Sequence, residues 1–218
     1  MAGKREYDDP CGVARALDVV GERWALLVVR ELLLGPKRFG DLSRGLPGMS
    51  PNVLSQRLRE LEQAGVVRRR RLGPPAAAQA YELTERGREL DDVLLVLARW
   101  GSRAPLTTGA RLGVDALVLA LRTTFDPAAA QGWAARCELR IGDDRFDAVI
   151  GPDGFRVVRG CAERPGAVVT ADPEVFRALV FGGRPLAAAI EAGEVRVEGD
   201  RRMAERFLAC FPRPVPAS

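Results

Sequence analysis

The 218-residue sequence contains no histidine. That absence removes the commonest general base and the commonest metal ligand, and with them serine–histidine and cysteine–histidine catalysis. Cysteine is scarce: Cys11, Cys137, Cys161 and Cys210 lie far apart without a C-x-x-C pair, so neither a zinc site nor a disulfide framework is expected. Nor is there an uninterrupted apolar run of the roughly 18 residues that would span a bilayer. The opening MAGKREYDDP lacks the apolar core of a signal peptide. A soluble cytoplasmic protein is expected, with no membrane partner, no metal and no cofactor.

What is present points elsewhere. A hydrophobic fraction of 47% supports a genuine core, and the length suits two ordinary domains. The net charge of +4 is unevenly placed: between Arg23 and Arg71 there are 11 Lys/Arg against 4 Asp/Glu, while from Pro105 onward the count is 15 against 15. A local excess of that kind is what neutralising nucleic-acid phosphates requires. It is also compatible with a solvated surface.

Apolar spacing gives helices over Val13–Val20, with Val13, Ala16, Leu17 and Val20 on one face, over Trp24–Leu34, and over Phe39–Leu46. Gly35-Pro36 and Pro47-Gly48 supply the stops. Ser50 is a natural N-cap with Pro51 at the first helical position. In the helix that follows, Leu54, Leu58 and Leu61 make a buried stripe opposite Asn52, Ser55, Gln56 and Arg59, and Gly65 suits its left-handed end. Val66–Leu72 and Gln79–Leu83 read as strands around the turn GPPAAA, which carries no basic residue. Thr84 then caps one long helix to Trp100 with an apolar row of Leu90, Val93, Leu94, Leu97 and Trp100, a row that needs a partner.

Gly101–Gly109 has linker composition, which divides the chain into domains at 1–104 and 110–218. The second half reads as a helix near Leu112–Thr123, strands at Ala135–Ile141, Phe146–Ile150, Phe155–Arg159 and Ala167–Ala171, then helices at Pro173–Phe181, Pro185–Ala192 and Arg201–Cys210. Strands followed by helices argue for an α+β domain.

Three helices and a two-stranded ribbon, with an uncharged polar face on the last helix, follow the order of a winged helix-turn-helix. Asn, Gln and Arg can pair in bidentate fashion with base edges in the major groove, so Ser50, Asn52, Ser55, Gln56 and Arg59 are candidates for contact with double-stranded DNA. Lys37, Arg38, Arg69 and Arg71 are candidates for its phosphates. The plain alternative is an amphipathic surface helix beside a charged edge strand.

The segments GERW, GPKRFGDL, LPGMSPNVLSQRLRELEQAGVV, YELTERG and the final WG, within Cys11–Gly101, resemble the HxlR family of bacterial transcriptional regulators. The resemblance implies a homodimeric DNA-binding protein, often a repressor, whose first and last helices form the dimer interface. Some members sense oxidants or electrophiles through a cysteine at the position of Cys11; here Gly12 follows it in place of the usual Pro. A redox-sensing Cys11 with a structural second domain is therefore the alternative to a cysteine that merely packs in the dimer.

In the second half, ADPEVFRALVFGGRPLAAAIEAGEVRVEGDRRMAERFLACF resembles the sterol-carrier-protein type of lipid-binding domain, over about Val114–Phe211. That likeness implies an apolar cavity for an acyl or sterol-like small molecule. Phe176, Leu179, Val180, Leu186, Ile190, Phe207, Leu208 and Phe211 are candidates for its lining, each with core packing as the alternative. Gly199-Asp200 reads as a turn and helix cap, and Asp143, Asp144 and Asp147 as a solvated acidic turn. No nucleophile, base and oxyanion donor can be nominated together, so an enzyme is not expected. A lipid carrier with an N-terminal assembly module is the remaining reading.

Overall fold

Helix stops and strand alternation set the architecture of the first unit, seen in a computed structural model that describes residues 7–71, 73, 78–104 and 111–213. Its elements are α1 (Gly12–Val20), α2 (Ala25–Leu32), α3 (Phe39–Gly45), α4 (Pro51–Gln63), β1 (Val67–Arg71), β2 (Gln79–Leu83), α5 (Glu85–Arg88) and α6 (Leu90–Gly101). The chain clusters into two compact units that divide between Leu94 and Leu95, inside α6.

The core of the first unit is built from Val28, Val29 and Leu32 of α2, Leu42 of α3, Leu54, Leu58 and Leu61 of α4, and Val66, Val67 and Leu83 beside the ribbon. α2 starts one residue later than its apolar run suggests, because Trp24 takes a left-handed conformation at φ 79°. Its buried carboxylate, Glu31, is neutralised by Arg30 and Lys37, each at 2.7 Å. β1 and β2 pair antiparallel, with Arg69 opposite Tyr81, and Lys37 adds a short bridge to Tyr81. Residues 74–77, the middle of the expected wing tip, lie outside the described residues, as do 105–110 of the expected linker.

On α1, Val13, Ala16 and Leu17 are exposed, and Ala14 and Val20 are the residues that it buries. One expectation is corrected here. The single long helix after Thr84 is interrupted at Glu89. The reason lies in its first turn, which is fastened elsewhere. Thr84 Oγ1 donates to the Gly65 carbonyl at 2.6 Å while accepting from Gly87 N, Thr84 N donates to Val66 O at 3.0 Å, and Arg86 reaches Ala64 O at 2.9 Å. Gly87 lies so near that a Cβ there would strike the Val66 carbonyl oxygen.

The second unit carries α7 (Val114–Thr124), α8 (Pro127–Ala130), β3 (Ala135–Ile141), β4 (Asp144–Gly151), β5 (Gly154–Arg159), β6 (Ala167–Ala171), α9 (Pro173–Phe181), α10 (Leu186–Glu191), β7 (Val195–Gly199) and α11 (Arg201–Ala209). Its sheet runs β5-β4-β3-β6-β7, with β3 and β6 parallel and the other pairs antiparallel. One face, including Cys137, Leu139, Phe146, Ala148, Ala167 and Val169, is buried with α7 and α11 among the helices packed on the sheet. Phe125, Phe155, Phe207 and Phe211 form an aromatic cluster with centroids 4.8–6.0 Å apart, within the range of favourable ring contacts.

The elements do not segregate as strands then helices. The alternation in VRVEG makes a fifth strand, β7, after α9 and α10, and it closes the sheet against β6. The acidic turn is corrected as well: only Asp143 is exposed. Asp147 is buried in a two-point pair with Arg136 at 2.8 and 2.6 Å, and Asp144 pairs with Arg159, which also holds buried Asp115. A carboxylate on a pleated strand with an arginine diagonal to it on the neighbouring strand is drawn into a charge-assisted pair rather than left in water.

Candidate nucleic-acid interface and ligand cleft

Ser50 sets the start of α4, accepting from Val53 N at 3.3 Å, and Gly65, at φ 70°, ends it in the left-handed form that glycine adopts without strain. Between them the leucine stripe faces inward, so Asn52, Gln56 and Arg59 are exposed and Ser55 is half-buried. The three exposed side chains recur at helical spacing and share one outer row. Arg59 Nε donates to Ser55 O at 3.3 Å and Gln56 Nε2 to Glu60 Oε1 at 3.0 Å.

The arginines of β1 divide by strand alternation. Arg68 and Arg70 straddle Glu82 at 2.8 and 3.0 Å. Burial alone would raise the Glu82 carboxyl, but hydrogen bonds from Arg70 and Arg68, with their charges, hold it below its ordinary value. On the other face Arg69 pairs with Glu62 of α4 at 2.9 Å and lies over Tyr81. Arg71 makes no ion pair among the described residues and is exposed, as is Arg38. Lys37 is drawn inward onto Glu31, so its ammonium serves the core instead of the outer face where the sequence placed it.

The sequence reading overlooked Arg57 and Glu60. Arg57 lies on the buried side of α4 yet carries a full charge, which Glu60 at 2.5 Å and Glu22 at 3.7 Å neutralise. Arg57 and Glu60 stand three residues apart, the spacing at which helical neighbours meet.

In the second unit a cleft of about 320 Å³ is lined by Leu179, Val180, Arg184, Leu186, Glu205, Leu208, Ala209, Phe211 and Pro212. Five of the eight expected lining residues meet there: Leu179, Val180, Leu186, Leu208 and Phe211. Phe176 and Phe207 are wholly buried in the core, and Ile190 is half-buried away from the cleft. Arg184 brings a cation to the apolar wall; it pairs with Glu194 at 2.6 Å, and its buried Nε has no partner among the described residues. No spacing in the sequence separates Arg184 from other surface arginines.

Cys11 is exposed at the N-cap of α1, with its N–H donating to Asp9 Oδ1 at 2.8 Å. Cys161 is also exposed, with Arg145 at 3.7 Å from its sulfur. Cys137 and Cys210 are buried; burial pushes the Cys137 thiol up to about 12 and raises that of Cys210.

Two family models match the chain: HxlR-like helix-turn-helix over residues 19–106 and the SCP-2 sterol transfer family over residues 118–211. Over 89 residues the chain is 45% identical to the HTH-type transcriptional regulator Rv3095 of Mycobacterium tuberculosis, a match covering 41% of this chain and 56% of that protein. The chain thus spans little more than half the length of its mycobacterial relatives. It is 38% identical over 88 residues to the HTH-type transcriptional regulator YvaP of Bacillus subtilis, covering 40% of this chain and 82% of the relative. Among solved structures, quinone-bound YodB from B. subtilis is 34% identical, with 41% of this chain and 93% of that one covered at a TM-score of 0.36. The second half matches the SCP-2 sterol transfer family, and the chain belongs to the HxlR-like helix-turn-helix family.

Proposed function

We propose that this protein is a DNA-binding transcriptional regulator, a repressor acting as a homodimer, that responds to an apolar small molecule held in the second domain. The observation that carries the reading is the outer row of α4. Asn52, Gln56 and Arg59 turn base-pairing side chains to solvent, while β1 beside them exposes Arg71 and Arg69 for the flanking phosphates.

A homodimer accounts for the apolar residues left uncovered: Val13 and Leu17 on α1, and Val93, Val96, Leu97 and Trp100 on α6, with Trp100 77% exposed. Rows of that kind mark association surfaces. Two-fold symmetry then requires paired half-sites about 10 bp apart. A ligand in the cleft alters DNA affinity only by binding two arrangements of the dimer unequally.

Selection of bound duplexes from a random library tests the reading. Recovery of a two-fold motif supports it, and equal binding of selected and scrambled duplexes sinks it. Repression then shows as lowered transcription from a promoter carrying the motif. Native mass spectrometry of the purified chain reads both the dimer and any apolar adduct it sheds on activation.

The exposure of Cys11 favours one second reading, in which an oxidant or electrophile acts at that thiol. At pH 8 an aromatic disulfide reagent is expected to titrate Cys11 and Cys161 and to spare Cys137 and Cys210. Under the second reading Cys11→Ser, and not Cys161→Ser, abolishes the response of DNA binding to diamide.

A further inference from the structure

The segment expected to meet DNA holds four carboxylates among eleven cations, and each of the four is engaged. Glu31 is buried under Arg30 and Lys37, Asp41 pairs with Arg44, and Glu62 pairs with Arg69. Glu60 differs in what it touches: like Glu62 it lies on α4, but it also meets Gln56, a member of the outer row. An acid so placed opposes phosphate binding, so its presence on α4 calls for a reason.

The reason is a relay from the buried side of α4 to its outer row. Arg57 is buried, and its charge is satisfied by Glu60 Oε2 and the more distant Glu22. Among the described residues its Nε has no hydrogen-bond partner, so Arg57 has no surplus of partners with which to release Glu60. The other carboxylate oxygen, Oε1, accepts from Gln56 Nε2 at 3.0 Å. An ionised carboxylate only accepts. It therefore dictates which end of the Gln56 amide faces it: the NH2 group turns to Glu60 and the carbonyl turns away.

We infer that Glu60, locked by Arg57, is a positioning residue that presents the Gln56 amide for adenine. This rests on the reading of α4 as the DNA-contacting helix. Bidentate pairing of glutamine with adenine uses the carbonyl oxygen, accepting from N6–H, together with the amide N–H on the carbonyl's own side, donating to N7. The remaining N–H, on the far side of the amide, is the one a carboxylate can hold without competing. Gln56 is thus oriented before it meets a base. Among the described residues Asn52 has no side-chain hydrogen bond and Arg59 is held only through the Ser55 carbonyl.

The test uses the full-length chain and a random duplex library, comparing base preferences of the wild type, Gln56→Ala and Glu60→Gln. The wild type should select adenine at one position per half-site, and Gln56→Ala should lower that preference about tenfold. The amide introduced by Glu60→Gln can donate or accept, so this variant should lower the same preference about three- to tenfold while leaving the other positions unchanged. Those positions report that the variant is folded. Should Glu60→Gln not fold, hydrogen exchange of the Gln56 side-chain amide in the wild type decides: slower exchange than at Asn52 supports the relay, and equal exchange overturns it. A wild type that selects no motif overturns the DNA-binding reading itself. A wild type with a motif, but with Glu60→Gln keeping its full adenine preference or with a base other than adenine at the Gln56-dependent position, overturns only the relay.

Discussion

Helices α4 and α11 are built on one plan in the two halves of the molecule and end with opposite surfaces. Each is capped by a side chain, Ser50 in one and Asp200 in the other, and each buries an apolar stripe, Leu54, Leu58 and Leu61 against Ala204, Phe207 and Leu208. On α11 part of the polar face is engaged by the protein: Arg201 pairs with Glu205 at 3.2 Å, and Arg206 lies over the Trp133 ring and reaches Ala130 O, while Arg202 is exposed. On α4 the outer row retains unused donors and acceptors at Asn52, Gln56 and Arg59. Amphipathic spacing is common to both helices. Under the proposed function, α4 differs in the kind of group it leaves available, amides and a guanidinium able to pair with base edges.

Breaking the buried side of the pair should cost most. Phe207→Ala removes a wholly buried ring from the aromatic cluster and is expected to destabilise the second unit by about 3–5 kcal/mol, read by urea unfolding. On the outer side, Arg59→Ala should weaken operator binding by about 1–3 kcal/mol while barely changing affinity for scrambled duplex. The matching change on α11, Arg202→Ala, should leave operator affinity within about 0.5 kcal/mol; equal losses from both would erase the contrast. Ser50→Ala removes the α4 cap and should cost about 1 kcal/mol of thermal stability in the first unit.

A smaller effect of acid distinguishes the paired carboxylates from solvated ones. Burial would raise Glu138, but hydrogen bonds from Arg140 and the Ala162 N–H, with the charges of Arg140 and Arg145, lower it, as the wing arginines lower Glu82. Because the folded pKa lies below the unfolded value of about 4.3, the contribution of each is complete above that pH and is lost as pH falls through the folded value. Acid unfolding should accordingly begin at higher pH in Arg140→Met than in the wild type.

Local chemistry made much of this legible before any coordinates. Ser50-Pro51, Gly65 and the leucine spacing define α4 through short-range geometry, and the alternation over Ala135–Ile141 and Ala167–Ala171 defines strands whose neighbours are already apolar. β7 was missed because VRVEG follows a helix and shows only one face of alternation; its pairing with β6 is a long-range fact. The break at Glu89 was equally hidden, since the propensities of residues 85–100 favour one helix and the tie to Gly65 and Val66 comes from elsewhere in the chain. Within the sites, exposure of Asn52, Gln56 and Arg59 followed from the opposite stripe. The inward turn of Lys37 did not, because it depends on the buried charge of Glu31. The split of the apolar residues between cleft and core depends on how three helices converge, which spacing along any one of them cannot show.

The hydrogen bonds from Thr84 and Arg86 to the carbonyls of Ala64, Gly65 and Val66 fasten the far end of α4 to the start of α5, so any rocking of α4 would pivot there. At about 1.5 Å per residue, Asn52 stands about 18 Å from that pivot. A tilt of about 10° there carries Asn52 about 3 Å, close to the roughly 3.4 Å that separates successive bases along a strand. If α4 meets DNA as proposed, a tilt of about 10° at its α5 end would thus shift its N-terminal end by nearly one base step.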